Sequence, residues 1–267
     1  MRRINTLGYL LLFFALSLFQ NAGQAQSDYF QQEVNYQIGV ALDDQAHFLR
    51  GQVSITYHNN APQALDSLWF HLWPNAYRDN NTAFARQQVR TGKTRFYFVD
   101  DRYRGYIDSL SFTVDGQPVQ WALDTQNPDI AWLKLNSPLP SGAAISISTP
   151  FRVKLPLTFS RLGRQGQAYQ ISQWYPKPAV YDNKGWHPMP YLDMGEFYSE
   201  FGSYDVSITL PENYVVAATG VLQTESERAF LEKKITESTA HLDTVTQGVR
   251  NEAFPPSASS MKTIRYT

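Results

Sequence analysis

The sequence predicts an all-β fold, built as an antiparallel sandwich or barrel. Apolar and polar residues alternate with a period of two along much of the chain, as strands with one buried face require. Turn residues separate these short segments at close spacing. Aromatic residues make up 14% of the 267 residues and the formal net charge is −1, which together exclude a wholly disordered chain.

The clearest strands are predicted at residues 34–42 and 49–57, where the alternation is most regular. Asp115 and Gly116 lie between two alternating segments, and this pair is the strongest short-range sign of a hairpin. Further strands are predicted at residues 68–73, 110–114, 119–123, 130–135, 145–149, 151–155, 204–210, 214–218 and 262–266.

Two helical insertions are predicted within this β-rich chain. Residues 81–90 begin at an Asn cap and end before Gly92, which is a typical helix stop. Residues 224–262 are predicted to be a charged excursion and loop, which opens with a capping box and a helix through Lys234. Residues 263–267 are predicted to be the final strand.

The first 25 residues have the three-part pattern of a secretory signal peptide. Arg2 and Arg3 precede an apolar run at residues 7–19, and small residues follow it. A run of 13 residues is too short for a bilayer, which takes about 20. We therefore predict cleavage after Ala25 and an exported chain, periplasmic or extracellular, with no membrane contact after cleavage.

Composition and motifs exclude several kinds of function. The chain has no cysteine and nearly balanced charge, so thiol chemistry, cysteine-bound zinc and a nucleic-acid partner are not expected. A metal cluster of His187, Asp193 and Glu196 is disfavoured because their loop has no regular period. Glu196 and Glu200 form a weak carboxylate pair, predicted to face solvent from a strand. We assign no catalytic and no metal-binding residue.

One segment, residues 169–191, is unusually rich in aromatic residues, prolines and amides. Tyr and Trp offer large contact areas at low entropic cost, and prolines fix the backbone, so the segment is suited to a rigid pocket wall. A buried sheet edge with a proline-rich turn explains the same composition equally well.

Five short motifs carry a resemblance to a known family. They are FHLWPNAY at 70–77, RGYIDS at 104–109, SRLG at 160–163, QWYPKPAVYD at 173–182 and GWHPMPY at 185–191. Over about residues 30–267 the chain resembles the amino-terminal domain of an aminopeptidase N-type (gluzincin) zinc metallopeptidase of the bacterial exported branch.

The resemblance implies a large antiparallel, saddle-like β-sandwich with one or two short helical insertions. It implies a non-catalytic domain that packs on the catalytic domain of the same protein and helps to bind a peptide substrate. Zinc and the H-E-x-x-H motif are expected in that catalytic domain, and this sequence contains no such motif. The chain alone is therefore expected to hold no cofactor and to be inactive, and its end at Thr267 is expected to precede the catalytic domain.

The resemblance also implies a substrate-binding role for Gln173 and Tyr175. Gln173 matches a glutamine that lines the pocket for the first side chain of the substrate. Tyr175 stands where many members have an acidic residue that holds the free amine, and a phenol supplies no opposite charge. A different exopeptidase preference is therefore open. In a strand, Gln173 and Tyr175 would face the cleft together while Trp174 points inward.

Two alternatives of other classes are open at the level of the sequence. One is a secreted carbohydrate- or protein-binding β-sandwich module, with Trp174, Tyr175, Trp186 and Tyr191 as a stacking platform. The other is a structural domain whose aromatic loop only packs on a neighbouring domain.

Overall fold

The computed structural model describes residues 29–240 and 254–267, and it confirms the predicted all-β fold. The predicted signal peptide lies outside the described residues. The strands are β1 (Glu33–Asp43), β2 (Phe48–His58), β3 (Leu65–His71), β4 (Tyr106–Asp108), β5 (Thr113–Val114), β6 (Gln117–Pro118), β7 (Gln120–Leu123), β8 (Ile130–Leu139), β9 (Ala144–Lys154), β10 (Leu162–Gln165), β11 (Ala168–Ile171), β12 (Lys177–Pro178), β13 (Val180–Asp182), β14 (Gly185–His187), β15 (Tyr204–Pro211) and β16 (Met261–Tyr266). The helices are α1 (Ala83–Arg90) and α2 (Glu225–Ala240), with short 3-10 helices at Trp73–Tyr77 and Asp101–Tyr103.

The larger sheet has the strand order β16-β15-β1-β2-β9-β5-β6, and β4 also pairs with β9. Its pairs are antiparallel except for β1 and β15, which run parallel. β1 and β2 bury alternate side chains on one face, as the predicted period of two requires. The two strands predicted at 145–149 and 151–155 form one strand, β9. Its Pro150 lies opposite Gln52 of β2, between the residues that pair with β5 and those that pair with β4.

The smaller sheet has the order β12-β3-β8-β7, and one hydrophobic core contains side chains of both sheets. Phe70 of β3, for example, meets Phe112 of the other layer at 5.1 Å between ring centroids. Two hairpins, β10–β11 and β13–β14, lie outside these sheets. They place the aromatic segment 169–191 at one side of the sandwich.

Three elements differ from the predictions. Residues 214–218 are not a strand: both edges of β15 are already paired with β1 and β16, and a turn at Pro211 leads the chain away. Helix α1 begins after Thr82, whose hydroxyl caps the helix, and not at an Asn cap. Helix α2 is confirmed but continues beyond Lys234 to Ala240. None of the helices in the described residues combines the length and the apolar character needed to cross a membrane.

Candidate functional site

The motif segments from distant parts of the sequence meet at strand β3. Lys177 and Pro178 of β12 pair with His71 and Phe70 of β3. The Met189 N–H donates to Nε2 of His71 at 3.1 Å. The neighbouring Trp73 donates its indole N–H to the carbonyl of the same Met189 at 3.0 Å. Three of the five motifs are therefore joined by direct hydrogen bonds.

Tyr191 joins a fourth motif to the same place. Its side chain is 1% exposed, and its ring lies 5.4 Å from the Tyr77 ring. Its hydroxyl lies 2.8 Å from the Ser160 hydroxyl and accepts from the Arg161 N–H. Its backbone N–H donates to the Asp129 carboxylate at 2.6 Å.

The fifth motif, residues 104–109, joins through the backbone. Gly105 donates its N–H to the Tyr77 carbonyl at 3.0 Å, and Ile107 donates to the Asn75 side-chain oxygen at 3.0 Å. A Cβ at Gly105 would lie 2.7 Å from the Lys154 carbonyl oxygen, so this approach requires glycine. We call the five joined segments the motif cluster.

Gln173 lies at the edge of this cluster in an unusual backbone conformation. Residues 172–176 are not in a strand, and Gln173 has a φ of 57°, in the left-handed region that residues other than glycine rarely adopt. The alternation expected for a strand therefore does not apply here. Ser172, the residue before Gln173, donates its hydroxyl to the Arg161 carbonyl at 2.7 Å and so holds the start of the turn at Gln173.

Tyr175 is packed among tyrosines of the large sheet. Its ring meets the Tyr36 ring edge-on at 5.5 Å, and its hydroxyl donates to the Tyr204 hydroxyl at 3.1 Å. Burial and the neighbouring Tyr204 raise the pKa of Tyr175 far above its usual value, so the phenol is neutral. Tyr175 also lines a cavity of about 1140 Å³ beside the inner face of β1 and β15, whereas Gln173 does not.

Lys177 is the site residue that the sequence analysis missed. Its side chain is nearly fully buried, at 5% exposure for the residue, and its ammonium donates to the side-chain oxygen of Gln173. The ammonium lies 4.4 Å from the centre of the Trp73 ring and 5.2 Å from that of Tyr175. Within the described residues it forms no ion pair, and burial lowers the pKa of Lys177 to about 7. The feature of the sequence that could have identified Lys177 is its position between two prolines in an aromatic segment.

His71, on the other side of Trp73, is neutral. Its ring stacks on the Trp73 ring at 4.4 Å, and burial together with the Lys177 charge lowers the pKa of His71 to about 3. Since Nε2 accepts from Met189, the remaining proton is on Nδ1. Nδ1 has no partner with good hydrogen-bond geometry in the described part of the chain, and the backbone of His187 opposes the lowering of the His71 pKa.

The carboxylates considered from the sequence do not form a metal site. His187 pairs with Asp182 at 2.8 Å, whereas Asp193 binds Lys93 at 2.6 Å, and Glu196 is exposed. Residues 29–240 and 254–267 contain no group of three His, Asp or Glu side chains that is arranged to hold a metal ion. The described residues therefore offer no site for the zinc, which the resemblance places in the catalytic domain.

The prediction that Glu200 faces solvent from a strand is wrong. Glu200 is buried in a loop, and its carboxylate accepts from the Tyr181 N–H at 3.3 Å. Burial raises the pKa of Glu200 to about 7. Because Glu196 is exposed and Glu200 is not, the two do not act as a pair.

The stacking platform proposed for a carbohydrate-binding module is not formed. Tyr191 is fully buried in the motif cluster. Trp186 packs on Tyr181 with the ring centroids 4.8 Å apart, and Trp174 packs on Phe151 at 5.8 Å. A flat face for a sugar ring needs exposed aromatic rings, whereas Trp174, Tyr175 and Trp186 are half-buried and each packs on another ring.

No protein-family model and no curated protein sequence matches the chain. Among solved structures, the chain is similar to an M1 zinc metallopeptidase mutant from Deinococcus radiodurans bound to a Tyr-Ser-Ala substrate, with 14% identity and a TM-score of 0.43. That similarity covers 88% of this chain and 39% of the other. The unmutated M1 zinc metallopeptidase from Deinococcus radiodurans gives 16% identity and a TM-score of 0.42, over 90% of this chain and 39% of the other.

A two-domain M1 zinc metallopeptidase mutant bound to L-tryptophan gives 14% identity and a TM-score of 0.42, over 90% of this chain and 40% of the other. The chain thus spans about two-fifths of the length of the solved structures it matches. All three are described as zinc metallopeptidases.

Proposed function

We propose that this chain is the non-catalytic amino-terminal domain of an exported zinc metallopeptidase. It packs on a catalytic domain of the same protein and contributes Gln173 and Tyr175 to a peptide-binding cleft. The observation that carries the proposal is the motif cluster: the five segments that resemble the family are joined to one another by hydrogen bonds and ring contacts.

The motif cluster also holds the turn at Gln173 in place. Ser172 and Lys177 flank the turn at Gln173, and each is held by another motif: Ser172 by the Arg161 carbonyl and Lys177 by its pairing with His71. The turn is therefore fixed at both ends, as a binding residue requires if it is to be in place before its ligand arrives.

The role assigned to this chain is binding rather than bond cleavage. Gln173 and Tyr175 are neutral hydrogen-bonding groups, suited to orient an uncharged part of a peptide. The zinc, the activated water and the proton transfers of peptide hydrolysis belong to the catalytic domain in this proposal. The peptidase class is that of aminopeptidase N-type enzymes, with the preference at the amino end of the substrate open because Tyr175 carries no charge.

The first test is the reading frame beyond codon 267, where an H-E-x-x-H motif is expected. The second is the enzyme encoded by that whole frame, purified with about one zinc per chain. In it, Gln173→Ala should raise KM for good substrates by about tenfold with a smaller effect on kcat, because it removes binding in the ground state and the transition state alike. Gln52→Ala, at an exposed position of β2, is the matched control.

Two results would contradict the proposal. One is a stop codon soon after codon 267 with no zinc motif in the protein. The other is a zinc peptidase in which Gln173→Ala leaves KM and the ranking of substrates unchanged while it lowers the melting temperature, since that is the behaviour of a purely structural residue.

A further inference from the structure

The Lys177 ammonium has a single oxygen acceptor in the described residues. An ammonium group has three donors and no acceptor, and a buried one must satisfy them or lose its charge. Here two sides are covered by the faces of Trp73 and Tyr175, and the one hydrogen bond that the described residues offer goes to the side-chain oxygen of Gln173. That oxygen is therefore committed to Lys177.

This contact decides which way the Gln173 amide points. A carboxamide has one acceptor end and one donor end, and a donor-only ammonium binds the acceptor end alone. The Nε2 group is consequently turned away from Lys177, and it has no hydrogen-bond partner among the described residues. Gln173 is only half-buried, so this donor group is accessible.

The backbone of Gln173 supports the same reading. The left-handed φ of 57° is unfavourable for a residue with a side chain, and it persists only where the surroundings hold it. The flanking contacts of Ser172 and Lys177 hold it here. The result is a fixed amide whose donors face outward.

We infer that Lys177 is a positioning residue that turns Gln173 into a hydrogen-bond donor, so that the site binds an acceptor oxygen of a peptide, carbonyl or carboxylate, in preference to a free ammonium group. This inference rests on the proposed peptide-binding function. The site then favours a hydrogen-bond acceptor of the ligand, whereas an acidic residue at position 175 would favour a positively charged amine.

The charges near the site agree with this polarity. Below its lowered pKa of about 7, Lys177 supplies a positive charge, and no carboxylate of the described residues forms an ion pair with it. The Tyr175 hydroxyl is used as a donor to Tyr204 and is not an acceptor for a peptide ammonium in this arrangement. A peptide ammonium would meet donors and a cation, whereas a carbonyl or carboxylate oxygen would meet complementary groups.

Three alanine dipeptides distinguish the possible ligands: the acetylated dipeptide with a free carboxylate, the acetylated dipeptide amide, and the dipeptide amide with a free amine. The readout is the side-chain amide signal of Gln173 in the purified chain with ¹⁵N-labelled glutamine, assigned by its loss in Gln173→Ala. Both acetylated probes should shift this signal. Tighter binding of the carboxylate probe identifies a carboxylate as the partner, and equal binding identifies a carbonyl.

Two substitutions test whether Lys177 sets the polarity. Lys177→Met keeps the length of the side chain but removes its donors, so the Gln173 amide is free to turn. The ratio of the affinities for the acetylated and the free-amine probes should then be close to one. Gln173→Glu keeps one oxygen on Lys177 and presents a second oxygen outward. It should shift the preference toward the free amine by about tenfold. Because this variant has no side-chain amide at position 173, its binding is read from the backbone amide signals of residues 172–177 in uniformly ¹⁵N-labelled chain. Gln52→Ala should change neither.

Gln173→Glu alters a half-buried surface residue, so it remains informative if Lys177→Met does not fold. Binding of the free-amine probe as tightly as the acetylated ones, with Gln173 shifted, would overturn the inference and leave the peptide-binding function standing. Failure of all three probes to shift Gln173 would overturn both.

Discussion

The Asp129 carboxylate accepts a 2.6 Å hydrogen bond from the Tyr191 backbone N–H, and it does so from a position that is 1% exposed. Its other oxygen has no partner in the described residues. Burial raises the pKa of Asp129 to about 6, although the hydrogen bond from Tyr191 opposes the shift. The contact that holds Tyr191 in the motif cluster is thus sensitive to pH.

This predicts a pH dependence of the free energy of unfolding. Between about pH 4 and pH 6 the folded chain keeps a proton on Asp129 while the unfolded chain releases it, so the contribution of this group is lost as the pH rises. The loss should be on the order of 3 kcal/mol. Denaturant unfolding at several pH values measures it. Asp129→Asn, which does not titrate, should flatten the slope, and an unchanged slope in the variant would contradict the assignment.

Lys177 predicts a slope of the opposite sign at higher pH. Its pKa is lowered in the folded chain from 10.5 to about 7, so between these values the unfolded chain binds the extra proton and stability rises with pH. His71 has lost its proton well below this range, and the raised pKa of Tyr175 keeps its phenol neutral throughout it. These are the titratable groups that face Lys177.

The measurement is denaturant unfolding between pH 7 and pH 10, with Lys177→Met as the non-titrating variant. The wild-type chain should gain on the order of a few kcal/mol over this range relative to the variant. Parallel pH profiles of the two proteins would show that the ammonium is not held in a dry site, and would remove the basis for its effect on Gln173.

The sequence was a good guide wherever one local pattern decides the structure. The period of two in β1 and β2 was sufficient, since each strand buries one face along its whole length. The pattern failed at residues 214–218, because alternation shows that a strand is favourable but not that a sheet edge is free for it.

The candidate site was only partly predictable. The motif at 173–182 identified Gln173, but its left-handed φ arises from contacts with Arg161 and Lys177 in the folded chain. Burial of Lys177 depends on Trp73, which is more than a hundred residues away in sequence. A charge enclosed by rings from distant segments leaves no local period, so single-sequence reasoning has no means to find it.

Export is tested by the mass of the mature chain. Residues 1–25 are predicted to be removed, because the apolar run at 7–19 is too short to span a bilayer and small residues follow it. Expression with export in a Gram-negative host should give a periplasmic or secreted protein that begins at Gln26. Replacing Ala25 with a bulky residue should block processing, and a mature protein that still carries residues 7–19 would refute the prediction.

The last prediction concerns the Tyr191 hydroxyl, which joins two motifs of the cluster. It lies 2.8 Å from the Ser160 hydroxyl and accepts from the Arg161 N–H, and it does so in the buried interior. Tyr191→Phe keeps the ring and leaves Ser160 its 2.7 Å hydrogen bond to Asp193, but it removes the acceptor of the Arg161 N–H, which should cost about 1–3 kcal/mol of the free energy of unfolding. Tyr198→Phe is the matched control, because that exposed hydroxyl makes one 3.3 Å contact to Asp182 and its loss should cost less than about 0.5 kcal/mol.

The location of the destabilisation caused by Tyr191→Phe is as informative as its magnitude. Arg161 also accepts the hydrogen bond from Ser172 that fixes the turn at Gln173. Loss of the Tyr191 hydroxyl should therefore speed amide hydrogen exchange at residues 160–163 and 172–177 more than in β1 or β2, whose pairing it does not touch. Uniform acceleration across the sandwich would mean that Tyr191 stabilises the core in general. Selective acceleration would show that the motif cluster holds the Gln173 turn in place.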